Sequence, residues 1–171
     1  MDVAWDEERR SWRGHADLGT DLRVEVVIAA RHAEPALARP YAEQTLGRLA
    51  GRLGEARQYA ARRLAGYYNS FQAHLPDGEQ VTDEEFAGRL HLERLRFLVT
   101  GAVRLDFRHD LYRGDPLFAG GLVVVEATAV GQFRRASWVT EPDARPVRRS
   151  RLRPPRPREN DGPGHGEPGP S

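Results

Sequence analysis

The residues best suited to acid–base or metal chemistry lie close together in the second half of the chain. Asp106, His109 and Asp110 occupy the end of a predicted strand and the loop that follows it. A carboxylate beside an imidazole can bind a divalent metal ion or act as a general base. Alternation along the strand, however, places Asp106 on its exposed face, and no second histidine lies at ligand spacing nearby. A polar end to a hairpin is therefore the favoured interpretation, and a metal-dependent enzyme built on these three residues is an alternative.

Several classes of mechanism are excluded by residue types that the chain lacks. It has no cysteine, which excludes thiolate catalysis, disulfides and cysteine-ligated metals. All 26 Lys and Arg positions are arginine, and the absence of lysine excludes Schiff-base chemistry and the phosphate-binding P-loop. No serine lies in a G-x-S-x-G sequence. We therefore predict no catalytic residue and no cofactor.

Positive charge is concentrated near the C-terminal end. Residues 145–158 hold seven arginines and no acidic residue, whereas residues 1–140 hold 19 arginines and 20 acidic residues. A segment rich in Pro, Gly and charge buries too little apolar surface to offset its ordering entropy, so we predict a disordered tail over residues 141–171. Its arginines would attract polyanions by counterion release, which makes nucleic-acid or partner binding through the tail one hypothesis and a solubilising or neutral extension the other. The candidate contacts are Arg145, Arg148, Arg149, Arg151, Arg153, Arg156 and Arg158.

Ahead of the tail, alternation and apolar runs predict strands. Gly19 and Gly101 each separate two such strands and mark the turns of two antiparallel hairpins. The mostly apolar run over residues 122–130 suggests a central strand that is covered on both faces, or nearly so. The six predicted strands are residues 12–18, 22–30, 94–99, 103–108, 122–130 and 132–139.

Between the two hairpins the apolar residues recur every three or four positions. This spacing predicts a long helix over residues 40–71, kinked or split near Gly51–Gly54, with Pro40 in its first turn. Tyr67 and Phe71 fall on its apolar stripe and are expected to pack in the core, whereas Tyr68 lies about 100° away and is expected to be partly exposed.

A second, shorter helix completes the pattern of elements. Thr82–Glu85 has the sequence of a capping box, which predicts a helix that continues to about Leu90. The order of elements predicts an α+β domain over residues 1–140, in which an antiparallel sheet carries both helices on one face. No run of about 18 apolar residues and no signal-peptide pattern is present, so we expect a cytoplasmic protein without a membrane span.

Spaced short motifs also resemble a known family. They are WRGHADLG around Trp12, LAGYYN ending at Asn69, VTDEEFAGRL, LERLRFLVTGAVRLDF and DPLFAGGLVVVEATAVGQFRRA. In this order they resemble small bacterial proteins with the domain of unknown function 2262, over about residues 10–138. The resemblance implies the same α+β fold and brings no established activity or site residue. Members often read Gly-His before the central strand, where this chain has Gly120-Gly121, so no role for that histidine is carried over.

The leading functional hypothesis is a non-enzymatic interaction module. A well-patterned core without an assembled chemical site favours a domain that offers a sheet face or edge to a protein partner, as an accessory or toxin-neutralising protein does. Nucleic-acid binding through the tail and a metal-dependent enzyme using Asp106, His109 and Asp110 are the two alternatives.

Overall fold

The computed structural model describes residues 1–19, 22–29, 35–73, 80–109, 111–112, 115–116 and 121–140. The elements in chain order are β1 (Asp2–Asp6), β2 (Ser11–Asp17), β3 (Arg23–Ala29), α1 (Pro35–Ala50), α2 (Leu53–Gln72), α3 (Asp83–Gly88), β4 (Leu90–Phe97), β5 (Ala102–His109), β6 (Leu111–Tyr112), β7 (Asp115–Pro116), β8 (Gly121–Thr128) and β9 (Phe133–Thr140). Seven strands form one sheet in the order β1-β2-β3-β4-β5-β8-β9, and β6 pairs with β7 in a separate ribbon. The fold is α+β-like and strand-dominated.

One strand pair departs from the antiparallel sheet that the sequence predicted. β3 and β4 run parallel, with Val26 opposite Leu95, whereas the other neighbours in the main sheet are antiparallel. The physical reason is the connection between them, because α1, α2 and α3 all lie between β3 and β4 in the chain. Parallel neighbours need such a long crossover to return the chain to the starting end of the sheet.

Both predicted hairpins are confirmed. Trp12 in β2 lies opposite Ile28 in β3, and Leu95 in β4 lies opposite Leu105 in β5. Gly101 makes the second turn with a φ of 80°, a conformation that glycine adopts without steric cost. The edge strand β1 was not predicted, because its five residues offer only two apolar positions between charged or small ones.

The predicted long helix is split where the glycines suggested. α1 ends at Ala50 and α2 begins at Leu53. Pro40 does not lie in the first turn, since α1 already begins at Pro35. Pro35 occupies the first turn of the helix, where a backbone N–H would have no partner within the helix. Pro40 lies inside the helix and removes one backbone hydrogen bond.

The capping box forms as predicted at the start of α3. The amide of Glu85 donates to Thr82 Oγ1 at 3.2 Å, and the amide of Thr82 donates to Glu85 Oε2 at 2.9 Å. The helix ends at Gly88 rather than at Leu90, which is instead the first residue of β4. Phe86 and Leu90 are both fully buried.

The prediction for the aromatic residues of α2 was wrong. Tyr67 and Phe71 are 50% and 55% exposed, whereas Tyr68 is only 3% exposed. The cause is α3, which lies beside the C-terminal half of α2 and decides which side of it is buried. Tyr68 meets Phe86 of α3 edge-on, with 6.4 Å between the ring centroids.

One hydrophobic core joins the three helices to a single face of the sheet. It includes Leu49 of α1 and Leu64 of α2 together with Val26, Leu95 and Phe107 of the strands. The aromatic side chains of the main sheet also lie on this side, as the register and their neighbours in the core indicate. They are Trp5, Trp12, Phe97, Phe107, Phe133 and Trp138.

Candidate functional site

The face of the sheet opposite the helices, here the polar face, carries most of the charged strand residues. Residues that lie directly opposite one another on neighbouring strands share a face, so the register arranges side chains in rows across the sheet. Two rows cross the middle of the polar face. The central row is Asp2, His15, Glu25, Arg94, Asp106, Val124 and Ser137. The arginine row is Ala4, Arg13, Val27, Arg96, Arg104, Glu126 and Arg135.

Asp106 is the centre of an ion-pair cluster that links these rows. Its side chain is fully buried, although it stands on the polar face. Arg96 Nε donates to Asp106 Oδ2 at 2.6 Å. Arg94 Nη1 lies 3.9 Å from the same oxygen, and Arg104 Nε lies 3.9 Å from Oδ1. One carboxylate therefore forms ion pairs with three guanidinium groups.

Glu25 is the second carboxylate of the cluster. It accepts hydrogen bonds from Arg13 Nη2 and from Arg94 Nε, each at 2.5 Å. Burial alone would raise the pKa of Glu25, but the hydrogen bonds from Arg13 and Arg94 outweigh it and hold that pKa below its ordinary value. Glu25 is consequently a stable anion that fixes the positions of two arginines.

The cluster contains more positive than negative charge. Arg13, Arg94, Arg96 and Arg104 face Glu25 and Asp106, which leaves two positive charges in excess within the cluster. Their side chains are between 20% and 32% exposed, so water screens them only in part.

Arg104 is the least satisfied member of the cluster. It lies directly opposite Arg96, and like charges in that position destabilise a sheet. Within the described part of the chain, its buried Nε and the Oδ1 of Asp106 have no hydrogen-bond partner. The guanidinium group is thus held near a carboxylate without a full hydrogen bond to it.

The structure separates the residues that the sequence grouped as a metal or acid–base site. Asp106 was expected on the exposed face of its strand, but it is buried because three arginines surround it. His109 lies opposite Leu90, on the helix side of β5, so its side chain and that of Asp106 point to opposite faces. Asp110 lies outside the described residues. Among the residues that the structure describes, no group of three His, Asp or Glu side chains could hold a metal ion.

Sequence reasoning missed the cluster itself. Four of its six members could have been grouped from the sequence, because alternation along the two strands of the predicted hairpin around Gly101 places Arg94, Arg96, Arg104 and Asp106 on one face. Glu25 was not, since its bond to Arg94 joins residues 69 positions apart. The seven tail arginines that are the candidate contacts for a polyanion or a partner lie outside the described residues.

The chain matches no protein-family model, no curated protein and no solved structure. The resemblance to proteins with the domain of unknown function 2262 stays a prediction. None of the described helices is long and apolar enough to cross a membrane.

Proposed function

We propose that the protein is a non-enzymatic interaction module that binds a protein partner through the polar face of its sheet. The observation that carries this proposal is the ion-pair cluster on that face. The described helices pack on the other face, where they share the core with the strands. An accessory or toxin-neutralising protein would use a surface of this kind.

The chemistry of the cluster favours binding over catalysis. A general base must reach a substrate proton, and the Asp106 carboxylate is fully buried. Glu25 has a lowered pKa, which makes it a weaker base than an ordinary glutamate. Arginine stays protonated and presents a planar fork of donors, which suits recognition of an anionic group.

The arginines are also held in place before a partner arrives. Arg13 and Arg94 share Glu25, and Arg96 is bonded to Asp106. Side chains that are fixed in this way lose less conformational entropy on binding. Arginine is enriched among the residues that contribute most to protein–protein affinity.

A capture experiment in cells that express the protein naturally tests the proposal. The tagged full-length chain is compared with Arg135→Glu, an exposed position at the end of the arginine row, and with Arg62→Glu, an exposed position on α2. We expect one stoichiometric partner to be retained by the wild type and by Arg62→Glu and lost by Arg135→Glu. No stoichiometric partner, or one that both variants retain equally, would contradict the proposal.

A further inference from the structure

We infer that the segment that binds the polar face is acidic and extended, and that it lies across the strands along the arginine row. This inference rests on the proposed function and specifies the chemistry of the partner. Its occupant is a peptide segment of a protein in which Asp or Glu residues meet Arg96, Arg104 and Arg135.

Charge balance is the first support. The cluster has two more positive than negative charges. Beyond it the row adds the exposed Arg135 and the Glu126 that lies opposite it, so the excess of two positive charges is kept. Arg104 lies directly opposite the like charge of Arg96, and the two side chains are 26% and 32% exposed, so both remain partly open to an incoming group. A carboxylate placed between Arg96 and Arg104 would relieve this repulsion and accept paired hydrogen bonds.

The length of the row sets the length of the segment. The arginine row runs from Arg13 on β2 to Arg135 on β9, across six neighbouring strands. At roughly 4.8 Å between strands it spans about 24 Å. An extended peptide rises about 3.4 Å per residue, so about seven residues cover the row, and every second side chain points toward the sheet.

A peptide fits this face better than a nucleic acid does. Proteins that bind single strands stack bases on aromatic side chains, and here the aromatic residues of the main sheet lie on the helix side. The polar face also carries Glu126 within the arginine row, next to Arg104 and Arg135. A phosphate backbone is charged at every step and would meet this glutamate, whereas a peptide can place a neutral residue there.

Fluorescence anisotropy with a defined probe tests the inference. The probe is a labelled heptapeptide of alternating Glu and Thr. The control peptide has Gln in place of each Glu. A labelled oligouridylate represents the alternative ligand, a single-stranded nucleic acid. Full-length wild type is compared with Arg104→Gln, with Arg62→Gln on α2 and with Arg149→Gln in the tail, which all remove one positive charge. Thermal unfolding checks that each variant is folded. If Arg104→Gln does not fold, Arg135→Gln, which changes an exposed residue of the same row, takes its place.

We expect saturable binding of the Glu peptide and none of the Gln peptide. Loss of a charge-assisted hydrogen bond should weaken binding roughly tenfold in Arg104→Gln and leave it unchanged in the two control variants. No saturable binding, or an equal loss in Arg62→Gln or Arg149→Gln, would overturn the inference. So would tighter binding of the oligouridylate that depends on Arg104. If a cellular partner is captured but the peptide does not bind, this inference fails while the proposed function stands.

Discussion

Replacing Asp106 with asparagine tests whether its carboxylate holds the centre of the sheet together. The substitution keeps the shape of the side chain and removes the charge that Arg94, Arg96 and Arg104 share. Removing one partner of a buried ion pair typically costs about 3–5 kcal/mol. The arginines here are partly exposed and can be rehydrated in part, and asparagine keeps an oxygen that Arg96 can donate to. We therefore expect a loss of about 2–3 kcal/mol in the free energy of unfolding, or roughly 5–10 °C in melting temperature.

Urea unfolding followed by circular dichroism measures this loss. Asp17→Asn is the matched control, because Asp17 is an exposed aspartate on the same face, at the end of β2. A surface change of this kind should shift stability by less than about 0.5 kcal/mol. Adding Arg104→Gln to Asp106→Asn should recover part of the loss, since it removes a like charge opposite Arg96. If Asp106→Asn and Asp17→Asn unfold at the same urea concentration, the reasoning about the cluster is wrong.

Three further predictions follow from individual contacts. Burial would raise the pKa of Glu25, but its two arginine partners outweigh it and lower that pKa in the folded protein, so Glu25 stabilises the fold above about pH 4.5 and this stabilisation is lost as the pH falls below that value. In urea unfolding at a series of pH values, the free energy of unfolding of Glu25→Gln should therefore fall less steeply with acid than that of the wild type. An equal slope in the two proteins would contradict this. Tyr68→Ala should cost about 3–5 kcal/mol and Tyr67→Ala less than about 1 kcal/mol, as measured by thermal unfolding, and equal losses would refute the assignment of the buried side of α2. Gly121→Ala should cost about 1–3 kcal/mol in the same assay, because its new methyl group would overlap the Trp138 indole, and wild-type stability would show that the ring can move aside.

Much of the local structure could be predicted because its signals lie within a few residues of one another. The capping box joins positions three apart, and the turn at Gly101 brings together strands that are adjacent in the chain. The break between α1 and α2 falls at closely spaced glycines, which weaken a helix whatever surrounds it. These are properties of short segments, so they can be inferred without knowing how distant parts of the chain pack.

Contacts between distant segments could not be predicted in this way. The parallel pairing of β3 with β4 depends on where three helices return the chain, and it alone places Glu25 beside Arg94. The burial of Tyr68 depends on the position of α3.

The sequence by itself determined that Asp106 shares a strand face with arginines and that no thiol or lysine chemistry is possible. Only the tertiary structure decided that this aspartate is buried and that β5 continues to His109, which places the two side chains on opposite faces. The physical reason is that alternation along a strand assigns a side chain to a face, whereas the neighbouring strands determine which charges it meets there and how much water remains.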